Sequence, residues 1–198
     1  MTAPSAAASG FSRPPWEELR AVDLTSLLPR MASAGATDER ASRLLASPRA
    51  ATAATALVRG LAAEDDRAVA RATELLAGLG EGLTPAGDDF LVGALHALWA
   101  LRGEGAQPLA RLVATVAAPR TTDLSAAWLE SAANGRAAPP WRALIAALAP
   151  EGEEGLEGAL AEVLATGHTS GAASLAGFLT TLAALQAARG AGTAPRRG

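Results

Sequence analysis

The stretch Gly78-Leu79-Gly80-Glu81-Gly82-Leu83-Thr84-Pro85-Ala86-Gly87-Asp88-Asp89-Phe90-Leu91-Val92-Gly93 sets three alternating glycines ahead of Thr-Pro and an apolar run. Thr is a favoured N-cap and Pro is favoured at the first helical position. A helix is therefore expected from Thr84-Pro85 to about Leu101, ending before Gly103. Upstream, residues 65–77 place Val69, Ala72, Leu75 and Leu76 at helical spacing. That helix is expected to stop at Gly78, as a glycine C-cap would stop it. The segment thus reads as helix, glycine-rich turn, helix.

Working outward, the same grammar recurs. Further helices are expected over about 108–118, 123–133 (stopped by Asn134-Gly135), 139–148, 151–164 and 172–188, the last after the turn Gly167–Gly171. Towards the N-terminus, helices are expected after Pro15, with Trp16, Leu19 and Val22 on one face, and over 37–45, with Thr37 or Ser42 as caps. A short β element over Thr55–Val58 is the alternative to an all-helical reading there; clear strand patterns are otherwise missing. The expected fold is all-α, a single-domain helical bundle over 15–189 whose glycine-rich turns lead into two similar helices. Residues 1–14 and 190–198, rich in Gly, Pro, Ala and Arg, read as disordered tails.

Composition agrees and narrows function. A chain of 198 residues, 49% hydrophobic and 4% aromatic, builds its core from Leu, Val and Ala, so its helices can approach closely. Every basic residue is Arg, which with the alanine bias points to a GC-rich bacterial genome. The net charge of −3, without a basic patch, argues against nucleic acid as a partner. Without Cys there is no disulfide, thiolate catalysis or Cys-ligated metal. The N-terminus lacks the basic start and apolar stretch of a signal peptide, and no run reads as the 18 or so apolar residues of a membrane span. The expected location is the cytoplasm, with no membrane partner.

An internal echo ties two distant segments. Gly82, Thr84, Gly87, Leu91 and Gly93 match Gly167, Thr169, Gly171, Leu175 and Gly177 with one residue deleted. Either this is coincidence in a Gly/Ala-rich chain, or two similar turn-helix entries face each other around one site.

Within the first segment, Gly80, Gly82 and Gly87 allow close backbone approach or positive φ. The helix start at Thr84 offers unpaired amides that favour an anion. Asp88 and Asp89 either act chemically or merely complement the helix dipole. Asp89, Gly93 and His96 share a face, so an Asp–His pair across Gly93 is one candidate for acid–base work, and simple packing of His96 is the other. Arg120 with Thr121 is a second anion candidate, or a surface Arg beside a Thr cap; Ser125 lies one turn on. His168, Thr169 and Ser170 complete the second turn. No nucleotide-binding loop, dinucleotide fingerprint or serine-nucleophile elbow is present. No cofactor is expected, although an Asp pair can hold Mg²⁺ with substrate oxygens.

The first segment closely resembles the signature of the AllH-like family, long classed as a domain of unknown function and including a subunit of bacterial oxamate carbamoyltransferase. Arg120-Thr121-Thr122 through Ser125, Leu129, Ala132 and Gly135 resembles its second block. Gly167-His168-Thr169-Ser170-Gly171 through Leu175 and Gly177 resembles its third. The resemblance covers about residues 65–185. It implies transfer of a carbamoyl group between phosphate and oxamate, within a multi-subunit enzyme of allantoin catabolism. A small anionic metabolite and companion subunits, or a homo-oligomer, are the implied partners. Two departures stand out. The N-terminal part is shorter than in the family, and the third block carries Ala172-Ala173-Ser174 where the family has an Asp after its glycine. The alternatives are a stand-alone biosynthetic enzyme with another substrate, or a non-catalytic helical scaffold in which Gly93 with Ala97 and Gly177 with Thr181 serve tight helix crossings.

Overall fold

A computed structural model describes residues 10–19, 29, 33, 47–149 and 153–193. The expected helix over 37–45 and the position of Val22 lie outside them. Among the described residues the fold is all-α. It comprises α1 (Trp16–Leu19), α2 (Pro48–Ala63), α3 (Asp66–Leu76), α4 (Ala86–Arg102), α5 (Gln107–Ala117), α6 (Asp123–Ala133), α7 (Pro139–Ala147), α8 (Leu156–Leu164) and α9 (Ser170–Thr193), with short 3₁₀ turns before α5, α6 and α8. The β pairing among them is one isolated bridge, Ser12 to Ala137. It holds residues just before α1 against the loop that precedes α7.

The centre is α4. Every residue from Gly87 to Leu101 is buried, as a helix apolar on all sides must be. It is flanked by α9, α6 and α1, while α2 packs on both α3 and α9, α3 on α5, α5 on α6, and α8 on α7 and α9. The α9 helix is long and apolar enough over Ser170–Ala191 to cross a membrane by length and composition, contrary to the sequence reading. Its face on α4 explains why: it is a core helix, with Leu175, Phe178, Leu182 and Leu185 buried.

Two local expectations change. Thr55–Val58 lies inside α2, not in a strand. Ser47-Pro48 starts that helix, with Pro in its first turn, and Ala50, Ala53, Ala54, Leu57, Val58 and Leu61 form its buried stripe. Leu75 is 43% exposed, so the buried stripe of α3 runs through Val69, Ala72, Thr73 and Leu76 instead. Elsewhere the caps work as their chemistry dictates: the Asp65 carboxylate accepts from the Ala68 amide at 3.0 Å, and Thr122 Oγ1 accepts from the Ser125 amide at 3.1 Å.

Candidate functional site

The two glycine turns converge on one cleft. It measures about 890 Å³ and is walled by Leu79–Thr84 and Ala86 from the first turn, Gly167–Ser170 from the second, and Ser47 and Ala50 from the start of α2. The turns touch directly where Thr84 Oγ1 and Ser170 Oγ hydrogen-bond at 2.9 Å.

The echo has a physical basis. Gly87 and Gly171 are each the second residue of their helices, α4 and α9. A Cβ on Gly87 would run into the Leu76 carbonyl at the end of α3, and one on Gly171 into the Val163 carbonyl in the last turn of α8. In the register that matches Gly87 to Gly171, Phe90 matches Ser174. A Cβ on Gly93 would strike the Ser174 carbonyl, and one on Gly177 the Phe90 carbonyl. The α4–α9 crossing is therefore reciprocal, each helix using the same position to touch the same position of the other. Two helix-turn-helix units meet face to face, and their turns form opposite walls of the cleft.

The helix start differs from expectation. Pro85, not Thr84, is the N-cap, without a side-chain cap. Thr84 is turned instead towards Ser170. Pro85 has no N–H, the Gly87 amide donates to the Leu79 carbonyl at 2.8 Å, and the Asp88 and Asp89 amides donate to the Pro85 carbonyl at 2.9 and 3.1 Å. The α4 terminus consequently offers the cleft little beyond the Ala86 amide. Gly80 and Gly82 hold φ of +124° and +90°, conformations that strain any residue with a side chain.

The two acids beneath the turn have separate surroundings. Asp88 Oδ1 accepts from the Gly78 amide at 2.9 Å, and its Oδ2 accepts from Thr121 Oγ1. Burial still raises its carboxyl above the ordinary range, with the bonds from Thr121, Gly78 and Ser125 opposing the rise. Asp88 is thus a tie between the turn and the start of α6. Thr122 Oγ1 strengthens the tie by donating to the Leu83 carbonyl at 2.6 Å. Asp89 is 3% exposed, and its Oδ2 has no hydrogen-bond partner. Burial pushes its carboxyl up to about 7; a hydrogen bond from Ser170 opposes the rise and the Asp88 charge adds to it. Among the described residues no group of three or more His, Asp and Glu is placed to hold a metal ion.

The structure does not bring together three of the expected partners. Asp89 and His96 lie two turns apart, and the backbone of α9 fills the gap at Gly93. His96 sits instead among aromatic rings, with centroids 5.8 Å from Trp16 and 4.8 Å from Trp141. Burial pushes its imidazole down to about 4, against a small rise from the Arg136 backbone. Arg120 faces away from the cleft: it donates to the Val116 carbonyl at 2.7 Å and pairs with Glu74 at 3.0 Å. Its own carbonyl lies where a Cβ on Gly78 would go. His168, Thr169 and Ser170 do line the cleft with Gly80, Gly82 and Thr84. Ser47, Ala50 and Glu81 were not foreseen as walls; the signal for the first two was the Ser-Pro start of α2.

The sequence model of one protein family, described as oxamate carbamoyltransferase subunit AllH, matches residues 76–182, more than half of the chain. That span takes in both turns, both acids and the α4–α9 crossing. No curated protein and no solved structure matches the chain.

Proposed function

The chain belongs to the family of oxamate carbamoyltransferase subunit AllH, and from that premise we propose that it serves a carbamoyl-transferring enzyme and holds a small carbamoyl-type substrate between its two glycine turns. The observation that carries this reading is the convergence of those turns on one cleft, with Thr84 and Ser170 in contact at its floor. Its volume is within the range of small-molecule sites. A carbamoyl group presents a carbonyl acceptor and an NH₂ donor side by side. Hydroxyls both donate and accept, so Thr84, Thr169 and Ser170 suit it. The positive-φ glycines at 80 and 82 let peptide groups come close to a flat ligand. A ligand carboxylate or phosphate in the cleft would lie against the Ala86 amide and beside His168, while Arg120 is paired with Glu74. Leu83, 74% exposed at the cleft rim, supports a companion subunit that covers the mouth, as the word subunit in the family description suggests.

Calorimetric titration with oxamate and with carbamoyl phosphate tests the proposal. Binding to the wild type is expected, weakened about threefold to tenfold in Thr84→Val, the loss of one hydrogen bond, and unchanged in Arg120→Ala.

A second reading has its own observation. Gly87, Gly93, Gly171 and Gly177 are all accounted for by backbone contact, which a non-catalytic scaffold subunit would need equally. Absence of binding for both ligands, alone and with companion subunits, favours it.

A further inference from the structure

The first half of α2 carries alanine where a packed helix usually carries something larger. Its buried stripe begins with Ala50, Ala53 and Ala54 and holds no bulkier apolar residue before Leu57. Such short side chains do not close the space towards Phe90 of α4 and Thr180 of α9. A hollow of about 250 Å³ remains between the three helices. Ala54, Val58 and Phe90 form its floor and are buried, with Phe90 fully so. Ala51 is half-buried beside them, while Thr55, Arg59 and Thr180 are exposed and stand at the mouth. The hollow shares no lining residue with the cleft.

What this hollow offers a ligand is narrow. Thr55 Oγ1 donates to the Ala51 carbonyl at 2.8 Å, and Thr180 Oγ1 to the Ala176 carbonyl at 2.7 Å. Both hydroxyl hydrogens are therefore engaged by their own helices, as the amides within a helix are. Arg59 is the remaining side-chain donor of the lining, and its charge has no carboxylate at hand. The positions three and four residues away on α2 are Thr55, Ala56, Ala62 and Ala63, and α9 contains no Asp or Glu. Glu64, just past the end of α2, pairs with Arg102 at 2.9 Å. Among the described residues Arg59 makes no ion pair or hydrogen bond.

We propose that this hollow is a second ligand site, for a small apolar monocarboxylate: an aromatic ring or branched chain on the floor of Ala54, Val58 and Phe90, with its carboxylate on Arg59. A guanidinium grips a carboxylate through two parallel N–H bonds, which places the charged end of the ligand at the exposed mouth and its apolar end inside. Phe90 suits a ring, since aromatic pairs gain beyond the area they bury. Sites for drug-sized ligands start at about 300 Å³, so the hollow takes a molecule of about benzoate size and no nucleotide. An inorganic anion finds the cation but makes no use of the floor, and a neutral apolar molecule finds the floor but makes no use of the cation. The assignment does not depend on what the cleft binds.

Methyl shift titration of the full chain with benzoate and with 3-methylbutanoate tests the site. Saturable shifts are expected at the methyls of Ala51, Ala54 and Val58, and none at Ala86 of the cleft. Arg59→Gln should raise the Kd for benzoate about tenfold or more, the loss of a charge-assisted contact. Benzyl alcohol, with the same ring and no charge, should bind the wild type about as weakly as benzoate binds Arg59→Gln. Phosphate should leave all three methyls in place. Ala54→Leu, which fills the floor, should abolish binding of both acids; because Arg59 is exposed, Arg59→Gln keeps the fold and decides the matter even where Ala54→Leu unfolds. Failure of both acids to give saturable shifts at these methyls, equal binding of benzoate and benzyl alcohol, or a Kd for benzoate that Arg59→Gln leaves unchanged overturns the proposal.

Discussion

Gly93 and Gly177 occupy each other's helix backbone: the first lies against the Ser174 carbonyl and the second against the Phe90 carbonyl. Because Phe90 and Ser174 are matched positions in the internal echo, the contact repeats itself across an approximate twofold relation between α4 and α9. The relation places both turns at the same end of the helix pair, and so creates the cleft.

A methyl group at either glycine must push two backbones apart, and a backbone cannot swing aside as a flexible side chain can. Gly93→Ala and Gly177→Ala are each expected to destabilise by about 3 kcal/mol or more, at or beyond the upper end of ordinary overpacking. Gly158, in α8, is the control, because a Cβ added there would meet nothing within 4 Å. Gly158→Ala should stabilise by about 0.5–1 kcal/mol through helix propensity. Denaturant midpoints of the three variants check the opposite signs.

The Asp88 tie makes a different prediction. Asp88→Ala leaves the Gly78 amide and the Thr121 hydroxyl without their acceptor and should cost about 2–3 kcal/mol. Thr121→Val removes one bond and should cost about 1 kcal/mol. Amide exchange at Gly78 should accelerate in Asp88→Ala and change little in Thr121→Val.

Much of this arrangement was legible in the sequence. The α6 helix was readable from Thr122, which caps it, and from Asn134-Gly135, which stops it. The echo was readable as matched glycines. What they touch was not, because a glycine signals only that something comes close. The α2 helix was missed because its first half is Ala and Thr, with no large apolar residue before Leu57 to show the period. Thr84 was misplaced by one position since a local rule, Thr as cap and Pro next, lost to a tertiary hydrogen bond with Ser170. Spacing put Asp89 and His96 on one face, but nothing in the spacing showed that another helix would fill the gap between them. Nor does sequence give the direction of an Arg side chain, and Arg120 turned to Glu74.

Burial sets opposing pH dependences on Asp89 and His96. Asp89 is raised to about 7 and His96 lowered to about 4. Between about pH 4 and 7 the folded state keeps a proton on Asp89 that the unfolded chain has lost, so this group's contribution is full at low pH and fades as pH rises. Between about 4 and 6.5 the unfolded chain holds a proton on His96 that the folded state lacks, so that contribution is full above 6.5 and fades as pH falls. Each slope approaches about 1.4 kcal/mol per pH unit. Relative to the wild type, Asp89→Asn should gain stability as pH rises from about 4 to 7, and His96→Phe should lose it from about 4 to 6.5. Two difference curves with the same sign would contradict these burial effects.

Arg120 pairs with Glu74 at a half-exposed site, where an ion pair contributes at most about 1 kcal/mol. Arg120→Ala should therefore shift the unfolding midpoint only slightly. The Glu74→Gln variant should do the same, and the double variant should add little.

The most direct test of the central claim is a backbone amide shift map of the protein titrated with oxamate. The account predicts the largest saturable shifts at Gly80, Gly82, Ala86, Thr169 and Ser170, on both walls of the cleft together. Saturable shifts confined to Arg120 and its neighbours, or to one turn alone, would contradict it.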